Sequence, residues 1–170
     1  MKKRKKEEKK KKDKMNKAIY YIITAYLIVT SCDPNRLYEQ NLNIPKDKWE
    51  QLNLIEFRPE IKDTVSPDHI YINIRNTGEY PFSNLFLFVT TYSPLGYSIK
   101  DTFECTLADE KGKWLGKGFG NIWSNQILYK KYVKFPFPGT YTFEYQQAMR
   151  TEELPGIIDV GLRIEKVNLK

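Results

Sequence analysis

The chain has one histidine, His69, and two cysteines, Cys32 and Cys105. A zinc centre gathers several Cys, His or carboxylate ligands in one place, and this supply is too thin for one. No EF-hand loop offers calcium an alternative. A nucleophilic Cys–His pair would rest on Cys105 and His69 alone, and one lone member of each type is poor ground for a dyad. Cys105 lies in the pattern Phe103-x-Cys105-x-Leu107. It reads instead as a small apolar residue facing inward.

Phosphate-binding loops are missing as well. Gly112, Gly116, Gly118 and Gly120 crowd together, but they form neither G-x-G-x-x-G nor a Walker loop before a helix. They read as a bent strand edge or a close-packed loop. The carboxylate pairs Asp101/Glu104 and Asp109/Glu110 are of a kind that any acidic sequence offers, so they do not point to glycoside hydrolysis. The expectation is a non-enzymatic protein with no metal and no cofactor.

A basic surface is lacking, despite the net charge of +7. Of the 28 Lys+Arg, 11 lie in residues 1–31, with only 3 of the 21 Asp+Glu. The remaining 17 basic and 18 acidic side chains leave a net charge of −1. No nucleic-acid partner is therefore expected. The lysine-rich leader reads as positive charge that stays in the cytoplasm during export. Met15 offers a second start for an ordinary signal peptide.

A membrane-spanning run is also missing. Residues 18–30 are uncharged and mostly apolar, yet a bilayer span needs about 20 such residues. The length suits the apolar region of a signal peptide. It ends in Val29-Thr30-Ser31-Cys32, which resembles the lipobox of bacterial lipoproteins. That resemblance implies that residues 1–31 are cleaved and that Cys32 takes a diacylglycerol. The new amino terminus would then be acylated, with palmitate or a similar chain. The membrane is thus an expected partner, through acyl chains on Cys32. Residues 32–48, polar and with two prolines (Pro34 and Pro45), read as the lipidated cysteine and a flexible tether.

What is present from residue 49 onward is the pattern of strands. In residues 69–76, Ile70, Ile72 and Ile74 share one face while Tyr71, Asn73 and Arg75 share the other. A period of two marks a half-buried strand. Residues 84–93 read as a denser strand with Leu85-Phe86-Leu87-Phe88-Val89 apolar on both faces, which suits the middle of a sheet. Leu52, Leu54 and Phe57 lie in another apolar segment. Residues 101–108 alternate again before a turn at Asp109-Glu110-Lys111-Gly112. Residues 129–135 and 140–146 follow, the latter with Tyr141, Phe143 and Tyr145 on one face. Residues 147–153 read as a short helix or an ordered loop. Residues 157–167 close the chain with Ile158, Val160, Leu162 and Ile164 facing in. About seven strands at this spacing predict an all-β fold, a single β-sandwich spanning residues 49–170, immunoglobulin-like or jelly-roll-like.

Aromatic residues supply the candidate contacts. Trp114 and Trp123 lie in or beside the glycine-rich segment, and Tyr80 and Arg150 lie in or beside loops. Exposed Trp, Tyr and Arg suit a protein interface, and aromatic faces on a sandwich also hold sugar rings. The competing reading makes both tryptophans core plugs between the sheets.

A wider resemblance covers nearly the whole chain after Cys32. It is carried by Arg75-Asn76-Thr77 and Tyr80-Pro81-Phe82-Ser83-Asn84-Leu85-Phe86-Leu87-Phe88. It continues in Gly112-Lys113-Trp114-Leu115-Gly116-Lys117-Gly118 and Gln147-Ala148-Met149-Arg150. It ends in Leu154-Pro155-Gly156-Ile157 and Asp159-Val160-Gly161-Leu162-Arg163-Ile164. In these stretches the chain resembles the GldH-type gliding motility lipoproteins of Bacteroidetes. The resemblance implies a non-enzymatic structural or assembly component of the gliding machinery, linked to type IX secretion. It implies lipid anchoring at the outer membrane, with envelope proteins of that machinery as partners; the periplasmic face is expected ahead of the cell surface. An envelope module that binds glycans or peptides is the alternative.

Overall fold

The computed structural model describes Lys14 and residues 33–167. Apart from Lys14, the expected leader and signal peptide lie outside the described residues, as does Cys32. The chain divides after Pro34, and the fold is that of the unit Asn35–Lys170.

The unit is built almost entirely of antiparallel strands. In chain order they are β1 (Arg36–Asn43), β2 (Lys48–Glu50), β3 (Ile55–Phe57), β4 (Glu60–Ile61), β5 (Asp68–Thr77), β6 (Asn84–Tyr92) and β7 (Ser98–Thr106). They continue with β8 (Lys117–Phe119), β9 (Ile122–Val133), β10 (Gly139–Thr140), β11 (Thr142–Gln147), β12 (Glu153–Pro155) and β13 (Ile157–Lys166). One sheet has the order β1-β13-β5-β9-β8 and the other β3-β11-β6-β7. The short pairs β10-β4 and β12-β2 close the ends. Among the eight principal strands (β1, β3, β5, β6, β7, β9, β11 and β13), one sheet runs first, eighth, third, sixth. The other runs second, seventh, fourth, fifth. That is the order of a jelly roll, which decides between the two expected arrangements.

The core lies between the sheets. Ile70, Ile72 and Ile74 of β5 face Leu85, Leu87 and Val89 of β6, all buried. Their alternation produces this, because each second side chain of a strand faces the same side. β6 lies between β11 and β7, as its two apolar faces require. Phe143 and Tyr145 of β11, together with Tyr141 just before it, are buried as a set. Cys105 is fully buried, and burial pushes its thiol up to about 12. The turn after β7 is held by the Asp109 carboxylate, which accepts from the Lys111 and Lys113 amides at 2.9 Å each.

Three expectations need correction. Residues 36–43 are not tether but the edge strand β1, paired with β13 from Arg36↔Glu165 to Asn43↔Asp159. Leu52 and Leu54 face solvent, while Trp49, Ile55 and Phe57 enter the core. The Trp49 indole reaches the Asn53 carbonyl at 2.8 Å. On β13 a bulge between Ile157 and Asp159 turns Ile157 inward in place of Ile158. Of the two forms expected for residues 147–153, the ordered loop is the one found, over residues 148–152. The buried Gln147 pins it, donating to the Thr151 carbonyl and accepting from the Met149 amide.

The register sets two ends. At the entry end lie Asn35, whose carbonyl accepts from the Lys166 amide at 2.8 Å, the segment 58–67 with its short strand β4, and the loops 93–97 and 134–138. The far end carries the loop 78–83 and the segments 44–54, 107–121 and 148–156, which hold the short strands β2, β8 and β12.

Candidate functional site

The strand pairing brings Tyr80, Trp114, Trp123 and Arg150, which are scattered in sequence, to the far end. They do not form one exposed surface. Tyr80 is buried and donates to the Asn84 carbonyl at 2.8 Å. Trp114 packs on the core beside it, with ring centroids 6.4 Å apart. Trp123 is half-buried and lies over Gly118, where a Cβ would stand 2.3 Å from the indole ring. Arg150 is exposed. The exposed apolar groups of this end are others: Phe119 is 91% exposed and Leu52 86%.

The built concavity lies elsewhere. The alternation that sends the isoleucines of β5 inward sends Tyr71, Asn73 and Arg75 to the outer face of the five-stranded sheet. Pairing then aligns one row across the strands: Asn43, Asp159, Arg75, Ser124 and Lys117. The next row is Asn41, Gly161, Asn73 and Gln126. Together they floor an open groove of about 900 Å³ that continues past Leu115 and Gly116 to Thr106.

Its charges are mostly spent on one another. Asp159 is nearly buried and forms an ion pair with Arg75. Burial outweighs that partner and holds the Asp159 carboxyl above its ordinary value. Glu39 takes Arg163 at 2.7 Å and Arg36 at 3.0 Å. Burial alone would raise the Glu39 carboxyl, but hydrogen bonds and charge from these two arginines hold it low. Carboxylates tied to guanidinium groups in this way serve as positioning groups more readily than as proton shuttles.

Two polar atoms of the groove are left over. Asn73 Oδ1 and Arg75 Nε are buried and have no hydrogen-bond partner among the described residues. Leaving such groups unpaired costs about 1–3 kcal/mol each. The amide Nδ2 of Asn73 is held 3.3 Å from both Glu39 Oε1 and Asn41 Oδ1, so Oδ1 is fixed in place. A hydroxyl or peptide N–H entering the groove would satisfy Oδ1, and an acceptor would satisfy Nε. Sequence spacing does not reveal this groove, because its floor draws on five strands. Half of the signal was the polar face of β5, Tyr71-x-Asn73-x-Arg75. Among the described residues no group of three or more His, Cys, Asp or Glu gathers to hold a metal.

Comparison with known proteins bears on the same strands. A family model described as GldH lipoprotein matches residues 36–164, a span that begins where β1 begins. A gliding motility lipoprotein GldH homolog of Christiangramia forsetii is 37% identical over 156 residues, covering 88% of this chain and 95% of that protein. The gliding motility lipoprotein GldH of Flavobacterium johnsoniae is 32% identical over 152 residues, covering 85% and 94%. Among solved structures, a family GH115 4-O-methyl-α-glucuronidase with specificity for decorated arabinogalactans covers 81% of this chain. The match takes in 18% of that chain at 11% identity and a TM-score of 0.42, a level of likeness that carries no argument.

Proposed function

The chain belongs to the GldH lipoprotein family, and from that premise we propose that it is a lipid-anchored envelope component that serves the gliding machinery without catalysing a reaction. Cys32 carries the acyl chains, at the periplasmic face of the outer membrane. The sandwich acts as a structural or assembly module, linked to type IX secretion through envelope protein partners.

The observation that supports this most is the polarity of the fold. The chain enters at Asn35, at one end, while Phe119 and Leu52 stand exposed at the other. An anchor at one end and apolar loop tips at the other suit a module that holds a partner away from the membrane. Phe119 and Leu52 are the side chains that would make that contact.

Crosslinking in native cells, followed by recovery of tagged protein, tests the proposal when wild type is compared with Cys32→Ala. Envelope machinery proteins should co-enrich with wild type and drop out with the variant. If neither form enriches any protein above background, the assembly reading fails.

The groove favours a second reading, an envelope module that binds a glycan or a peptide. Titration with saccharides and extended peptides would support it if binding is present in wild type and lost in Asn73→Ala with the melting temperature unchanged.

A further inference from the structure

The entry end has a composition that its task as a mere attachment point does not explain. Only Asp33 and Pro34 separate Cys32 from Asn35, and Asn35 is already bonded to the last strand. Three residue steps reach at most about 11 Å, since an extended chain advances about 3.3–3.6 Å per residue. An acylated Cys32 would therefore hold this end against the bilayer, with no slack to let it rise away.

Exposed apolar side chains stand on the loops of this end. Leu95 is 62% exposed, Tyr97 68% and Ile99 63%, all on or beside the β6–β7 hairpin tip. The tip is a fixed turn. The Ser93 amide donates to the Tyr97 carbonyl at 2.8 Å, the Gly96 amide to the Ser93 carbonyl at 3.0 Å, and the Tyr97 amide to Ser93 Oγ at 3.1 Å. Gly96 supplies the left-handed conformation, at φ +85°, which costs glycine little. Pro94 packs on Gly139 of β10, and Tyr97 stacks on Phe137, so the tip is braced on a second loop.

Tyr132, at the end of β9, is 60% exposed between the exposed Lys131 and Lys134. Arg36↔Glu165, Glu165↔His69 and Asp68↔Val133 put Tyr132 at the entry end, and the contact of Pro94 with Gly139, which follows β9 across the loop 134–138, brings the hairpin tip to the same end. Tyrosine and leucine beside lysine are what the headgroup layer accommodates: rings and aliphatic groups at the acyl boundary, ammonium groups among phosphates.

We infer that this end docks on the phospholipid surface, with Leu95, Tyr97 and Tyr132 entering the headgroup layer and Lys131 and Lys134 facing lipid phosphates. This second attachment fixes the direction of the sandwich, so that the far end faces the aqueous side. The inference rests on the proposed acylation of Cys32 for the closeness of the bilayer.

The test uses the full mature protein in vesicles of phosphatidylethanolamine and phosphatidylglycerol. An environment-sensitive fluorophore is placed on Leu95→Cys and, separately, on Phe119→Cys. The buried Cys105 does not compete for the label. Residue 95 should show blue-shifted emission and at least twofold more quenching by nitroxide lipids than residue 119. Equal, water-like signals at the two positions would overturn the inference. So would protection of residue 95 that appears only when envelope proteins are added, since a protein would then be the occupant. Tyr132→Cys serves as the second probe if the hairpin variant does not fold. The intact mass of the amino-terminal peptide reads acylation separately. An unmodified Cys32 would remove the anchoring proposal, while the same probes in a Cys32→Ser background, which leaves one accessible thiol, would still decide docking on added vesicles.

Discussion

Asn41 on β1 and Asn73 on β5 meet across Gly161, the residue of β13 that lies between them. The Asn73 amide nitrogen stands 3.3 Å from Asn41 Oδ1. A Cβ on Gly161 would fall 1.9 Å from that same oxygen and 2.8 Å from the Gln40 carbonyl. The glycine is needed here for space, because its absent side chain lets two strands that are not neighbours share a hydrogen bond.

Gly161→Ala should therefore both destabilise the fold and disturb the groove floor. The Asn41 side chain can swing away, but the backbone carbonyl cannot. A loss of about 1–3 kcal/mol is expected, the usual range for overpacking. Chemical denaturation reads it. Asn41→Ala in the same background should recover part of the loss, because it removes the flexible half of the clash. No recovery would place the cost in the backbone alone.

The polar groove and the polar strand β1 show where sequence reading stops. Ile70, Ile72 and Ile74 announced their strand because one face meets only apolar atoms. β1 edges the sheet, and its outward residues Glu39, Asn41 and Asn43 floor the groove. Only Tyr38 and Leu42 pack against the core, which is too little alternation to set the strand apart from a tether. Trp49 likewise went unread as the core tryptophan, since its strand, β2, has three residues. Trp114 and Trp123 drew the eye through neighbouring glycines, and those glycines are there partly to make room for Trp123 and for the Asn125 side chain. The groove needed residues 39, 73, 117, 126 and 159 together, and only the jelly-roll register supplies that.

Tyr145→Phe should stabilise the protein. The Tyr145 ring is fully buried against Phe57, with centroids 5.1 Å apart. Its hydroxyl has no hydrogen-bond partner among the described residues. Burial holds the phenol well above its ordinary value, with Tyr129, Cys105 and Tyr38 adding to the effect. Removing an unpaired hydroxyl while keeping the ring relieves desolvation without opening a cavity. A gain of about 1 kcal/mol is expected, read as a rise in melting temperature of about 3–5 °C. A fall instead would mean that the hydroxyl is satisfied by a buried water.

Asp68 should make stability fall as pH rises through the mildly acidic range. It starts β5, nearly inaccessible. Burial, then repulsion from Asp63, lifts its carboxyl to about 6, against the opposing pull of Lys166. A carboxyl that binds its proton more tightly folded than unfolded favours the fold when protonated. Its contribution is full below about pH 4, the unfolded value, and is gone once pH passes about 6. Asp68→Asn should remove this slope and leave the variant more stable than wild type by about 1–2 kcal/mol at pH 7.5. Denaturation of both proteins at pH 4 and pH 7.5 checks the sign. A variant that gains nothing at the higher pH would show that Lys166 fully compensates the charge.

The far end allows function to be separated from stability with two kinds of substitution. Phe119 and Leu52 touch little, so Phe119→Ser with Leu52→Ser should change stability by less than about 0.5 kcal/mol. If those side chains hold a partner, crosslinked envelope proteins should be lost from this variant although its melting curve is that of wild type. Tyr80→Phe is the opposite case. It leaves the exposed surface alone but strips the Asn84 carbonyl of the phenol hydrogen bond inside a buried site, which should cost about 1–3 kcal/mol. Partner capture by Tyr80→Phe should persist below its lowered melting temperature. If the Ser variant still captures partners at wild-type yield, the apolar tips are not the contact, and the groove becomes the surface to alter next, beginning with Asn73 and Gln126.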